Sequence, residues 1–325
     1  MNKREKMSVK DRLTIYIKKE RPLPWFVLTG IAVLLVIALV LLDLGSAVQA
    51  AKAPDALTDS DVQFRMTVAG DICVNDSTRR LANEIGVTLG KPAFVVDPPV
   101  VDEMMDVARL SGRPDYPRRA MFHALNQKAI AKRYAEEIGR PYEELNLIVC
   151  HMGGGTSVGC HCKGRVIDVN NGLEGAGAFT GERCGGLTAL DVVKATLSGK
   201  WGTTYEQIRH ELCMCSGLVG HTGTNDGREI TRRIAEGDKQ AELAYRTMAY
   251  QVAKEISALG APLHGQVDAI LLTGGFAYDK TLMSWIESYV SYLAPVHVYP
   301  GEDEMMALAQ GALRVLRGRE EAKVY

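Results

Sequence analysis

Three consecutive glycines at positions 153–155 offer the plainest chemical use in this 325-residue sequence. They lie within Asn146–Gly159, NLIVCHMGGGTSVG, between two runs of strand character. Without Cβ atoms, backbone N–H groups can approach a phosphate closely, as in a nest-like anion site. A tight hairpin is the structural alternative, but it needs only one or two glycines. Gly274 and Gly275 end another apolar run, Leu271–Gly275 (LLTGG). A flat ring or a sugar can lie on such bare backbone, and ligands of open α/β sheets bind at strand ends of this kind. Many strand-to-helix turns also contain Gly-Gly.

Charged and polar groups form four further candidates. In Gly223–Arg228 (GTNDGR), Asp226 and Arg228 could hold a ribose and a phosphate; a solvated turn explains them equally well. Arg183 in Gly181–Gly186 (GERCGG) could grip a phosphoryl group bidentately, or it is a surface arginine. His123, Asn126 and Gln127 stand at i, i+3 and i+4, which would put three polar side chains on one helix face. A core-satisfied histidine is the ordinary alternative. Glu302-Asp303-Glu304 opens the last helix, where carboxylates serve as dipole partners or could hold Mg²⁺. Cys160-His161-Cys162 invites a metal reading, but alternate strand residues face opposite ways, so small residues in a strand are the preferred reading.

These groups need a frame. From Leu81 onward strand and helix patterns alternate without repeats or low-complexity tracts, which predicts an α/β fold. Leu147–Met152, Ser157–Cys162 and Arg165–Val169 read as a three-stranded meander. Tyr245, Met248, Val252, Ile256 and Leu259 trace the apolar stripe of a packed helix. Further expectations are a helix over 118–139, a short strand over 93–96, a buried strand over 267–272 and a closing helix over 303–316.

The first 80 residues have another character. Residues 1–24 carry eight Lys/Arg against three Asp/Glu, and residues 25–42 run without a charge. A helix of that length spans about 27 Å, close to a bilayer core of about 30 Å. It predicts a single-pass transmembrane helix with a cytoplasmic basic tail, or a signal peptide cut after Ala50. Residues 43–80 read as a linker with one possible strand, Phe64–Asp71, which faintly resembles the opening strand of capsule or poly-γ-glutamate synthesis proteins. The formal net charge of −1 excludes a broad electrostatic footprint for nucleic acid, and seven cysteines in a chain this long do not suggest a disulfide scaffold.

The runs KPAFVVDPPVVDEMMDVARLSG (91–112), FHALNQKAIAKRYAEEIGRPYEELNLIVCHMGGGTSVG (122–159), KGRVIDVNNGLEGAGAFTGERCGGL (163–187), GTNDGRE (223–229), DAILLTGGFAY (268–278) and VYPGEDEMMALAQGALRVLRGREEAK (298–323) are similar to butyrate kinases, within the acetate, propionate and butyrate kinase family. The resemblance covers residues 81–325 and marks them as the catalytic and nucleotide-binding region. It implies a ribonuclease H-like lobe of the actin, Hsp70 and sugar kinase superfamily. It also implies phosphoryl transfer between ATP and a short-chain carboxylate, giving an acyl phosphate and ADP, with Mg²⁺. Family roles would make Gly153, Gly154 and Gly155 the second phosphate loop and Gly274 and Gly275 the adenosine motif. Asp226 and Arg228 would lie near adenine and ribose. His123 and Arg183 would donate to the phosphoryl group in flight, Asp97 would be a cleft acid near the substrate, and Glu304 a metal-side carboxylate. Family members are oligomeric, which makes a homo-oligomer one option and leaves the oligomeric state of this chain open.

The sequence departs from that pattern before Leu81. The family's opening strand and Asn/Gly/Ser-rich first phosphate loop, and an Arg-Gly-Gly segment, are not recognisable here. The expectation is therefore an incomplete first lobe preceded by one transmembrane helix, and a kinase with little or no acyl-phosphate-forming activity. A non-catalytic nucleotide-binding or interaction module anchored in the membrane is the alternative. An external catalytic region would also conflict with the cytoplasmic supply of ATP.

Overall fold

The computed structural model describes residues 76–322. It divides into two compact units, one holding Ser77–Ala93 and the other running from Phe94. In the first, α1 (Asp76–Leu89) ends where the Lys91 amide bonds back to the Gly86 carbonyl at 2.8 Å.

The centre of the second unit is a pair of strands whose side chains are buried on both faces. β1 (Asn146–Met152) and β4 (Ala269–Gly274) are near-continuous apolar runs, as strands covered on both sides must be. β1 pairs antiparallel with β2 (Thr156–Cys162), which pairs antiparallel with β3 (Arg165–Val169). On its other edge β1 runs parallel to β4, and β4 parallel to β5 (Val296–Pro300). The sheet order is β3-β2-β1-β4-β5, a mixed sheet made of a meander plus two crossover strands.

Side-chain alternation sends the strand residues to two different cores. Ile148, Cys150, Met152, Cys160, Ile270 and Leu272 share one cluster with α8 (Lys239–Ala258) and α9 (Lys280–Val290). From the helices come Tyr245, Met248, Val252 and Ile256, then Leu282, Ile286 and Val290. Leu147, Val149, Ala269 and Leu271 point the other way, onto Ala131, Tyr134 and Ala135 of α3 (Ala124–Glu137). Helices thus cover both faces, the three-layer solution for a central sheet. Asp238 and Asp279 cap α8 and α9 through side-chain bonds to Ala241 and to Thr281 and Leu282. Such a cap is worth about 1 kcal/mol.

The meander and the stripe of α8 lie where the sequence predicts. Three boundaries differ. α3 begins at Ala124 rather than 118, because the preceding residues are held extended. The Arg118 guanidinium is bound by the Ala108 and Val169 carbonyls and by Asp168, and the Phe122 amide bonds to the Pro99 carbonyl. Residues 93–96 form no strand; Val96 instead packs at Gly311, on α10 (Glu304–Leu316), where a Cβ would collide with it. β4 starts two residues later than expected, since Asp268 is engaged with the Asn146 amide at 2.8 Å and Arg140 at 2.9 Å.

The expected membrane placement is corrected. The apolar run at 25–42 and the possible strand at 64–71 lie outside the described residues. Among the described residues, no helix is long and apolar enough to cross a membrane. The longest, α8, carries Lys239, Glu242, Arg246, Lys254 and Glu255 along its length.

Candidate active site

Each glycine of the 153–155 turn faces a charged or polar side chain or another backbone. None of the three has a positive φ, so glycine is required here for close approach rather than for an unusual backbone. A Cβ on Gly153 would stand 3.1 Å from Glu302 Oε1 and 3.3 Å from His151 Nε2. One on Gly154 would meet Arg183 and Glu182, both at 3.2 Å, and one on Gly155 would lie 2.7 Å from the Gly172 carbonyl oxygen. The turn is a contact surface bounded by Arg183 on one side and by His151 and Glu302 on the other.

Arg183 comes to the turn from a loop 29 residues away in sequence. Its loop is tied down by Thr180, whose hydroxyl donates to the Gly154 carbonyl at 2.5 Å. The guanidinium donates to Glu182 Oε2 at 3.0 Å, while its buried Nε has no partner among the described residues. A buried, unpartnered N–H beside a glycine turn is a donor suited to an anion. Glu182 also accepts from Asn225 Nδ2 at 2.7 Å, joining this loop to the GTNDGR segment.

His123 and His151 stack with ring centroids 3.8 Å apart. Asn126 on α3 binds His151 Nδ1 at 2.9 Å, and Glu302 approaches Nε2 at 3.1 Å. Both ring nitrogens of His151 therefore face oxygens. The hydrogen bond from His151 is the main cause that holds the Glu302 carboxyl below its ordinary range.

The His123 proton is fixed by a buried relay. Gln127 Nε2 donates to Ser157 Oγ at 2.8 Å, and the His123 amide donates to the same oxygen at 3.3 Å. The Ser157 proton is left for His123 Nδ1, 2.8 Å away, which puts the ring's own proton on Nε2. Upstream, Gln127 Oε1 accepts from His161 Nε2 at 3.1 Å, so His161 Nδ1 takes the Tyr142 hydroxyl proton at 2.7 Å. Burial first, then the charges of His151 and Arg183, lowers the His123 pKa to about 2. Burial first, then Lys128, lowers that of His161 to about 3. Both rings are neutral across the physiological range. His161 is thus satisfied within the core while Cys160 and Cys162 turn toward the opposite cluster, so these three do not converge on a metal.

The other sequence candidates divide. Gly274 has φ 92°, and a Cβ there would strike the Met152 carbonyl oxygen; Gly275 faces open space. Gly274 is thus glycine for packing against the end of β1, and Gly275 is the exposed surface. Asp226 is the N-cap of α7 (Gly227–Ala235) and grips the Arg228 guanidinium at 2.9 and 3.0 Å, leaving Arg228 almost wholly exposed. Glu304 begins α10, its carboxyl raised by desolvation and by neighbouring Glu302. Asp97 lies in a separate ionic cluster, 3.7 Å from Lys128 Nζ, which also binds Glu103 at 2.7 Å. Burial raises the Asp97 carboxyl against the opposing pull of Lys128. It has a strained φ of 39°.

His151, Glu182, Ser157 and Asn225 are absent from the sequence candidates. A histidine inside an apolar strand reads as core, and only the stack on His123 reveals it. Glu182 and Asn225 could be suspected only as neighbours of Arg183 and Asp226.

A glycine turn flanked by an arginine and two histidines thus stands at the end of a mixed five-stranded sheet and offers N–H donors suited to an anion such as phosphate. Residues 116–284 match the acetokinase family, and the chain belongs to that family. It is 53% identical over 245 residues to butyrate kinase 2 of Clostridium acetobutylicum, an alignment covering 75% of this chain and 68% of that one. Acetate kinase from Entamoeba histolytica superposes with a TM-score of 0.65 at 18% identity, covering 87% of this chain and 85% of that one. Porphyromonas gingivalis acetate kinase gives 0.58 at 21%, covering 65% and 60% respectively. At such identities the structures establish the fold, which is that of the acetate kinases; the described unit thus has the expected α/β character.

Proposed function

We propose that residues 81–325 are the catalytic and nucleotide-binding region of a carboxylate kinase, with butyrate as acceptor and ATP as donor. The observation that carries this reading is the 153–155 turn, bounded by the unpartnered Arg183 Nε and by the His123–His151 pair. An acyl carboxylate oxygen attacks the γ-phosphorus, and the bond from that phosphorus to the β–γ bridging oxygen breaks. ADP leaves with the electron pair, so no proton need move. The chemistry then depends on positioning and charge neutralisation, which the side chains here can supply.

In this reading Arg183 and the Nε2–H of His123 donate to the equatorial oxygens, whose charge spreads in the transition state. A neutral His123 suits that role, being a hydrogen-bond donor fixed in one tautomer without its own charge to desolvate. Gly153, Gly154 and Gly155 bring the backbone to the phosphates. Gly275, Asp226 and Arg228 bound the adenosine side, and Asp97 lies toward the acyl acceptor. The oxygen donors of Glu302 and Glu304 fit Mg²⁺, and two crowded carboxylates at a helix start are a donor set that a hard cation relieves. Bound there, Mg²⁺ would neutralise phosphate charge.

The departure of residues 1–80 from the family pattern favours slow turnover by this chain, with one of the two phosphate clamps recognisable. In its extreme form this becomes a second reading, nucleotide binding without transfer. Trapping acyl phosphate as hydroxamate with butyrate, acetate and propionate tests the proposal. Product from butyrate in excess of the other two acids is expected; none from any acid would sink it.

A further inference from the structure

Away from the phosphate turn, α5 (Tyr205–Met214) ends in a different set of side chains. His210 and Glu211 lie in its last turns, and Cys215 is its C-cap residue. One ligand atom from each lies within 4.8 Å of the others, the one such convergence of three among the described residues. His210 Nδ1 stands 3.3 Å from Cys215 Sγ. Two ligands held about 2.0 and 2.3 Å from one zinc ion in a tetrahedral arrangement are separated by roughly this distance. The alternative is a plain His–Cys hydrogen bond, which explains the pair but not the carboxylate beside it.

We infer that His210, Glu211 and Cys215 form a binding site for a borderline-soft divalent cation of the zinc class. The donor set is one imidazole nitrogen, one thiolate and one carboxylate oxygen, which excludes Mg²⁺ and selects zinc-like ions. Three protein ligands leave the fourth tetrahedral position to water. His210 and Glu211 also line a groove together with Trp201, Glu206 and Gln207. The C-terminal end of α5 adds the partial negative charge of its unpaired carbonyls. Binding deprotonates the Cys215 thiol, so one proton leaves as the metal enters.

The site is anchored to the loop of Arg183. The Ser216 hydroxyl donates to the Glu211 carbonyl at 2.7 Å, and the Ser216 amide donates to the Glu182 carbonyl at 3.1 Å. The Cys184 amide bonds to the Leu212 carbonyl at 2.9 Å. Closing a metal chelate across residues 210–215 therefore stiffens the segment that carries Glu182, Arg183 and Cys184. This site differs from the oxygen donors at Glu302 and Glu304 in chemistry and shares no residue with them.

Titration of the purified full chain with Co²⁺ as a spectroscopic probe tests the assignment. One equivalent is expected to bring up a thiolate-to-cobalt charge-transfer band with tetrahedral ligand-field bands, displaced by Zn²⁺. Cys215→Ser should abolish the charge-transfer band. His210→Ala should weaken Zn²⁺ binding by more than the roughly 10- to 100-fold that changes outside the ligand shell cost. Both side chains are at least partly exposed, so the variants should keep the wild-type circular dichroism and Mg-ADP affinity. A chain that shows no charge-transfer band, or a band that persists in Cys215→Ser, would overturn the site. Neither result bears on the kinase reading, whose assay uses Mg²⁺ alone.

Discussion

Ser157 is the residue on which the protonation of His123 turns. It is fully buried, accepts two hydrogen bonds and has one proton to give. Ser157→Ala leaves Gln127 bonded to the Ser157 carbonyl, so the fold should lose only about 1–3 kcal/mol. Without the donated proton, His123 is free to carry its hydrogen on Nδ1 and present a lone pair to the phosphoryl oxygens. The expected outcome is a kcat lowered by about 100-fold with little change in KM for nucleotide, and recovery in Ser157→Thr. An equal fall in kcat and nucleotide affinity would assign Ser157 a purely structural role. The same neutrality has a pH signature. His123 and His161 have folded pKa values near 2 and 3, below the unfolded value near 6.5. Their contribution is therefore fully present above pH 6.5 and is lost as pH falls below it, because the unfolded chain binds protons that the folded chain refuses. Each histidine adds a slope of up to about 1.4 kcal/mol per pH unit in that window. Urea midpoints measured between pH 7 and pH 5 should fall accordingly, and less so in His161→Asn.

At the scale of elements, the end of β4 separates two glycines that look alike in sequence. Gly274 is pressed against the backbone of Met152, whereas Gly275 borders open space. Gly274→Ala should destabilise the fold by steric collision and by its positive φ, and so says nothing specific about ligands. Gly275→Val should leave the melting temperature near wild type and weaken Mg-ADP binding at least about 10-fold, read by calorimetry. Unchanged binding would remove Gly275 from the nucleotide surface. Much of this frame was legible beforehand. The meander, the glycine turn and the stripe of α8 follow from local pattern, since strand alternation and helical period are written in adjacent residues. What was not legible depends on distant pairings. Arg183 meets Gly154 across 29 residues, Asn126 meets His151 across 25, and β5 earns its place only by pairing with β4. α3 starts at Ala124 instead of 118 because Arg118 is claimed by Asp168, a contact invisible to helix propensity.

For the whole molecule, the proposed reaction is transfer of a phosphoryl group between nucleotide and carboxylate at Arg183. The family and the fold support that reading. Removing one electrostatic donor to a transition state costs about 3–4 kcal/mol, or roughly 100- to 1,000-fold in rate. The most direct measurement is ATP formation from butyryl phosphate and Mg-ADP by the full chain, beside Arg183→Ala. Slow ATP formation is expected, lowered a further 100- to 1,000-fold or so by the substitution. Mg-ADP binding without any ATP formation, or a rate that Arg183→Ala leaves unchanged, would contradict it.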